Sequence, residues 1–263
     1  MEKFFEKKGY IIVKPDHKIL SQIRYKVFKA LTKSLKLKKI KFKPLEVEKF
    51  LNSFHRFVNK KDLNEIRFQT YHQLNRDKNF QNLYYQAAKP FLFDLVGNEL
   101  AMQKLINLSI QMPKDPDSLL DMHSDAYAGE SPFQVVVWTP LVDVSNTKSM
   151  FFTKPSISKK INKEILTKNK HTIKQLYKKN KKNFWFLKVN YGELVIFSPL
   201  ILHGNTVNDS NETRFSLNCR FKSLLAPYDV LKKSHRNIPN FYRPLEVKSL
   251  TKLGFNYIKS FEE

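Results

Sequence analysis

His123, Asp125 and His203 are the residues whose types and spacing most readily suggest chemistry. His123 and Asp125 lie two apart in LLDMHSDAYAGESPFQVVVWTPLVDV, residues 119–144, just before an apolar run rich in β-branched and aromatic residues. With seven histidines in the chain, a His-x-Asp/Glu pair arises by chance about 0.6 times, so the pair alone carries nothing. Its context carries more. On a strand, positions i and i+2 share a face, which would set an imidazole beside a carboxylate. His203 ends a second apolar stretch, LVIFSPLILHG, where Gly204 permits a close backbone turn. Two imidazoles and one carboxylate make a facial set that leaves positions open on non-haem Fe(II). The same donors suit zinc and hydrolysis, but no general base for that reaction stands out. Eleven residues past His203, Arg214 opens the alternating stretch TRFSLNCRF. Its guanidinium fork suits a carboxylate held by two hydrogen bonds, a group with no obvious part in a zinc hydrolase.

These residues need strands to hold them, and the pattern supplies strands beyond about Lys104. LINLSIQMP alternates strictly, with Ile106, Leu108, Ile110 and Met112 on one face and Asn107, Ser109 and Gln111 on the other. FQVVVWTPLVDV, SMFFTKP, NFWFLKV, GELVIFSPLILHG and TRFSLNCRFKSLL follow as strand candidates. In the last, Arg214, Ser216, Asn218 and Arg220 share one face; Phe215, Leu217, Cys219 and Phe221 share the other. Strands in series with few helices between them predict an antiparallel sandwich or jelly roll.

The first 103 residues read as mostly helical support. GYIIVKPD gives a short strand stopped by Pro15, with Asp16 as N-cap of the next helix. That helix, from Lys18 to about Leu37, carries Ile19, Ile23, Val27, Leu31 and Leu35 near one face. After the basic connector KLKKIKFKP come LEVEKFLNSFHRFV, KKDLNEIRFQTYHQLNR and NFQNLYYQAAKPFLFDLVG, the last expected to break at Pro90. A lysine-rich segment, residues 158–183, interrupts the strand series; it reads as a helical surface connection or as a lid. The tail from 228 to 263 reads as a loop through SHRNIPNFYRP and then a short helix, KSLTKLGFNYIKSF. The whole is expected to be a single domain over residues 1–263, with its core at 104–227.

Composition bounds the rest. At 263 residues with 41% apolar side chains the chain can bury a sizeable core. No apolar run approaches the roughly 18 residues of a membrane span, and the start resembles no secretory signal, so no membrane insertion is expected. A single cysteine, Cys219, excludes an internal disulfide and fits a reducing cytoplasm. The net charge of +23 would attract an anionic partner. The basic residues are mostly lysines spread along the chain, without the basic-aromatic clusters that nucleic-acid recognition calls for.

The HxD before a strand, the distal histidine after another and the arginine eleven residues later together resemble the 2-oxoglutarate/Fe(II)-dependent oxygenases, in particular the phytanoyl-CoA dioxygenase-like branch. The resemblance covers roughly Gly9 to Pro227. Within it, MHSDAYAGESPFQVVVWTPLVDVSNTKSMFF and LILHGNTVNDSNETRFSLNCRFK are most similar to oxygenases of bacterial sporadic carbohydrate clusters, whose genes accompany surface-polysaccharide biosynthesis. It implies a fold between α+β and mainly β: a cupin-like double-stranded β-helix, or jelly roll, with a helical N-terminal part packed on one sheet. It implies His123, Asp125 and His203 as iron ligands and Arg214 on the distal carboxylate of 2-oxoglutarate. Asn107, Gln111, Trp138 and Ser216 are implied as further co-substrate contacts. Fe(II), 2-oxoglutarate and dioxygen (O2) are the implied cofactor and co-substrates. A small molecule, sugar-linked and anionic, such as a carbohydrate or nucleotide-sugar intermediate, is the implied substrate. The family's glycine-rich turn and GSH-like motif are absent after SMFFTKPS, where the lysine-rich insertion stands.

The alternative of another class is a jelly-roll protein without catalysis that binds an anionic glycan or nucleic acid. Such a protein has no need of the triad and Arg214 together. His55 and His72, in helical stretches, read as packing or surface residues; His17, His171 and His235 read as solvated. Cys219 reads as a buried thiol, and Arg220 as either a substrate contact or half of a structural ion pair.

Overall fold

A computed structural model describes residues 1–37, 44–168, 172–226, 238 and 240–259. Most of the basic connector, together with His171 and His235, lies outside the described residues.

The helical region follows its local signals closely. A helix α1 (Glu2–Lys8), which the sequence pattern did not announce, ends at Gly9 with φ of 74°. Strand β1 (Tyr10–Val13) then leads to α2 (His17–Ser34), whose N-cap Asp16 accepts from the Lys18 backbone N–H as its position suggests. Next come α3 (Pro44–Asn52), α4 (Lys60–Arg76) and α5 (Lys78–Leu95). Helix α5 runs straight through Pro90, against the expected break. Pro90 faces solvent, whereas Tyr84, Tyr85, Ala87, Ala88 and Leu92 are buried. The burial of that face outweighs the roughly 3 kcal/mol a helical proline costs.

The remaining strands are β2 (Leu100–Gln103), β3 (Asn107–Gln111), β4 (Gln134–Pro140), β5 (Phe151–Thr153), β6 (Phe184–Phe186), β7 (Leu194–Phe197), β8 (His203–Gly204), β9 (Arg214–Ser223) and β10 (Tyr242–Glu246). They form two antiparallel sheets. The larger runs β1-β7-β4-β9-β2-β10, with β3 also paired to β9; the smaller runs β6-β5-β8. The chain is thus α+β. Two strands depart from expectation: β2 falls in the stretch read as helical, and β10 falls in the tail read as loop. They pair with each other, and β2 also pairs with the far end of β9. Pro244 is tolerated because β10 is an edge strand with a register shift between Pro244 and Glu246.

The helical layer packs on the larger sheet. Ile23, Val27, Phe28 and Leu31 of α2 share one buried cluster with Val137, Ile196, Leu217 and Phe221 of the strands. The Phe54 ring meets Phe215 edge to face at 5.1 Å, and the Tyr84 hydroxyl donates to the Val137 carbonyl at 2.9 Å. Phe215, Leu217, Cys219 and Phe221 are fully buried in this core, so the opposite face of β9 is left to the polar set headed by Arg214.

Helices α6 (Pro155–Lys168) and α7 (Ile173–Asn180) carry the lysine-rich insertion. They form more than a solvated surface segment: Ile161 and Leu176 are buried with Met122, Phe151 and Leu202 in a second cluster. Among the described residues, none of the helical terminus α8 (Ser249–Lys259) is buried, and no helix is long and apolar enough to cross a membrane.

Candidate metal and co-substrate site

The two histidines are fixed by main chain. His123 and His203 face each other across an isolated antiparallel bridge, with His123 N–H donating to the His203 carbonyl at 2.9 Å and His203 N–H returning the bond at 2.8 Å. Their rings lie 4.3 Å apart between centroids. Each Nδ1 meets a backbone carbonyl two residues earlier, Asp121 at 2.8 Å and Ile201 at 2.9 Å. A proton held there on Nδ1 leaves each Nε2 as a lone pair, which is how a ligating histidine is oriented. Burial, with His123 beside it, lowers the His203 pKa to about 4, so His203 is neutral at physiological pH.

Asp125 arrives by a different route from the expected one. The strand pairing stops at His123, and residues 125–129 form a turn in which the Asp125 carbonyl accepts from the N–H groups of Ala128 and Glu130, both at 3.0 Å. The turn, rather than strand alternation, brings the carboxylate beside the imidazole, with Oδ1 3.7 Å from His123 Nε2. The candidate ligand atoms of His123, Asp125 and His203 all lie within 4.8 Å of one another. Burial pushes the Asp125 carboxyl up, but Arg220 and the two histidines outweigh it and hold it below the ordinary range. Arg220 Nη2 donates to Asp125 Oδ1 at 2.9 Å, while Oδ2 is buried with no partner among the described residues. A buried, partnerless carboxylate oxygen next to two oriented imidazoles fits a divalent cation, since such an oxygen is costly unless something is bound to it.

Arg220 is therefore the structural ion pair, not a free substrate contact. It also lies 3.2 Å from Glu130, which the sequence reading did not single out. Tyr242 of β10 donates onward to Glu130 at 3.1 Å and to Gln134 at 2.5 Å. This buried set links the tail strand to the carboxylate of the triad.

Two connected hollows open on the triad. The inner one, about 120 Å³, is lined by His123, Asp125, His203, Trp138 and Arg214, among others. Arg214 is 5% exposed, and burial lowers its pKa to about 10. Its Nη2 donates to Ser109 Oγ at 3.3 Å, Nε has no partner, and no carboxylate pairs with it among the described residues. The outer hollow, about 500 Å³, shares Leu120, His123, Asp125, Asn218 and Arg220 with the inner one and extends to α4.

Of the other residues named from sequence, Trp138 lines the inner hollow and Asn107 the outer. Gln111 and Ser216 line neither, although both lie in register beside the site, Gln111 opposite Arg214 and Ser216 opposite Ser109. The Gln111 amide donates to the Thr206 carbonyl at 2.7 Å. Ser109 is the contact that sequence reasoning passed over, and the alternation with Asn107 and Gln111 already pointed to it. Asn205 was also missed: it lines the inner hollow and accepts the Leu120 N–H at 2.5 Å. Gly204 serves a close approach rather than a turn, because a Cβ there would stand 2.8 Å from the Leu120 carbonyl oxygen.

In its described residues the insertion stands behind this site rather than over it. Ser158 Oγ accepts the Leu202 N–H at 3.0 Å, and Asn162 bonds both Ser124 and the Leu200 carbonyl. Its partners therefore neighbour the ligands in sequence, and among the described residues none from 155 to 183 lines either hollow.

Helices laid on one of two antiparallel sheets are a fold shared with solved non-heme oxygenases. The non-heme alpha-ketoglutarate-dependent carbocyclase SnoK from nogalamycin biosynthesis superposes with a TM-score of 0.55 at 13% identity, over 94% of this chain and 92% of that one. The non-heme monooxygenase ThoJ, as its nickel complex, gives 0.53 at 13% identity over 84% and 76%. HygX from Streptomyces hygroscopicus, with nickel and 2-oxoglutarate bound, gives 0.51 at 10% identity over 85% and 86%. At these identities the likeness is one of fold. No protein-family model and no curated protein matches the chain.

Proposed function

We propose that this chain is an Fe(II)- and 2-oxoglutarate-dependent dioxygenase, a double-stranded β-helix in a single domain, that oxidises a carbohydrate or nucleotide-sugar intermediate. The observation that carries the reading is the pairing of two incomplete groups in one hollow: the partnerless Asp125 Oδ2 and the buried, carboxylate-free Arg214. The first asks for a cation and the second for an anion.

His123, Asp125 and His203 would hold the iron. Iron and 2-oxoglutarate, when bound, supply an oxidant for an unactivated C–H bond, consuming dioxygen and turning 2-oxoglutarate into succinate and carbon dioxide. Arg214 and Ser109 would take the distal carboxylate of 2-oxoglutarate. Arg220 occupies Asp125 Oδ1, which leaves Oδ2 for the metal and fixes the carboxylate's rotation. Val136, Trp138, Met150 and Phe197 give the inner hollow apolar walls that exclude water.

The test is anaerobic titration of the apo-protein with Fe(II) and then 2-oxoglutarate, following the weak visible metal-to-ligand charge-transfer band. A band near one equivalent of iron, lost in His123→Ala and weakened in Arg214→Ala, is expected. Folded protein that binds no iron and shows no band would overturn the proposal.

A further inference from the structure

The outer hollow is lined by a different chemistry from the inner one. Helix α4 contributes Arg67, Phe68 and Tyr71, and β3 and β9 contribute Asn107 and Asn218. Among the described residues of the lining Asp125 is the one carboxylate, and it is paired with Arg220. Arg67 has no carboxylate partner among the described residues; its side-chain contact is Asn64 Oδ1 at 3.5 Å. It sits one helical turn before Tyr71, close enough for its charge to oppose the rise that burial imposes on the Tyr71 hydroxyl. The mouth of the site is therefore cationic.

Rings line the same wall. Phe68 is 58% exposed, and His72 packs against both Phe68 and Tyr71, with centroids 4.1 and 5.2 Å away. An exposed phenylalanine held by a neighbour at the edge of a cavity is a platform for the apolar face of a ring. Asn107 Nδ2 donates to Asn218 Oδ1 at 2.9 Å, which leaves Asn107 Oδ1 and Asn218 Nδ2 to face a hydroxyl. The volume of about 500 Å³ falls within the range of small-molecule sites.

We propose that the outer hollow binds a sugar ring bearing an anionic oxyacid group, phosphate or carboxylate, with Arg67 as counter-ion and Phe68 and Tyr71 covering the ring. This rests on the oxygenase reading above and adds a division of labour between two arginines. Arg214 serves the co-substrate inside, and Arg67 serves the substrate outside. The ring then lies between Arg67 and the triad, with its C–H bonds toward the metal position.

The test uses protein loaded with Mn(II) and 2-oxoglutarate without oxygen, and three probes: glucose 1-phosphate, glucuronate and glucose. The readout is the relaxation of the sugar-ring protons with Mn(II) minus that with Zn(II), which counts only ligand near the metal and discards anions scattered over the lysine-rich surface. At least one anionic probe should be relaxed while glucose at the same concentration is not, and whichever responds identifies the oxyacid. Arg67→Ala should raise the apparent Kd about tenfold or more, Arg67→Lys should recover part of it, and Phe68→Ala should weaken binding severalfold. Equal relaxation by glucose, no loss in Arg67→Ala, or no relaxation by either anion overturns the inference. Water-proton relaxation reports Mn(II) loading separately: loaded protein that ignores the anions refutes this inference alone, whereas failure to bind Mn(II) refutes the oxygenase reading as well.

Discussion

Replacing Arg214 with methionine should make the ligand-free protein more stable while removing its capacity for 2-oxoglutarate. Arg214 is buried and charged, and among the described residues the Ser109 hydroxyl is its one side-chain hydrogen-bond partner. Burial lowers its pKa from 12.5 to about 10, and at about 1.36 kcal/mol per pKa unit the charge costs roughly 3 kcal/mol in the empty site. A folded-state pKa below the unfolded one means that this cost is fully present below about pH 10 and lifts only as the group deprotonates, so a measurement at pH 7 senses all of it. Methionine keeps much of the apolar stem and leaves Ser109 without its donor, which returns about 1 kcal/mol. The net gain of about 1–2 kcal/mol corresponds to a rise in Tm of roughly 2–6 °C for a chain of this size. Against this, losing the partner of a buried carboxylate costs about 2–5 kcal/mol of binding, a weakening of roughly thirtyfold to several thousandfold. Thermal melts of wild type and Arg214→Met, each with Mn(II) and with or without 2-oxoglutarate, separate the two effects. The wild type should rise with 2-oxoglutarate and the variant should not, although the variant starts higher. A variant that melts below the wild type without ligand, or keeps the 2-oxoglutarate shift, would refute the reasoning.

Other expectations follow from the same geometry. Arg220→Met removes the cation paired with buried Asp125 and should cost about 3–5 kcal/mol in urea unfolding; a loss under about 1 kcal/mol would mean that the pair is not buried as described. Gly204→Ala drives a methyl group into the Leu120 carbonyl and should cost about 1–3 kcal/mol and weaken metal binding by parting the bridged strands, whereas unchanged stability and metal affinity would contradict the close approach. Burial pushes the Cys219 thiol up to about 12, so the native protein at pH 8 should resist a thiol reagent that labels it promptly once unfolded. Rapid labelling of native protein would place Cys219 elsewhere.

Much of this was written locally. The alternation of TRFSLNCRF divides β9 into a core face and a site face without reference to anything distant, and Asp16 caps α2 through its own neighbours. The unforeseen elements depend on partners far along the chain. LAMQ and YRPLE carry no clear alternation because β2 is buried on both faces and β10 is a bulged edge; each becomes a strand by pairing with the other. Pro90 looked like a break because the burial that sustains α5 is tertiary. The triad was legible as a set of residue types, but the turn that delivers Asp125 and the Arg220–Glu130–Tyr242 chain behind it were not. The contacts of that chain join residues around a hundred positions apart, and no periodicity encodes them.

The backbone bridge between His123 and His203 encloses a loop of about 80 residues, and both insertion helices hang inside it. Because the entropy of closing a loop grows only logarithmically with its length, lengthening or trimming this excursion changes the cost of bringing the histidines together by little, about 0.6 kcal/mol per doubling. The segment can thus be remodelled without moving the chemistry, as long as its ends keep their footing at Leu202 and Ser124. A metal at the bridge would add a cross-link closing the same loop, so chelation should loosen the insertion helices and expose them to protease before it releases the rest of the fold.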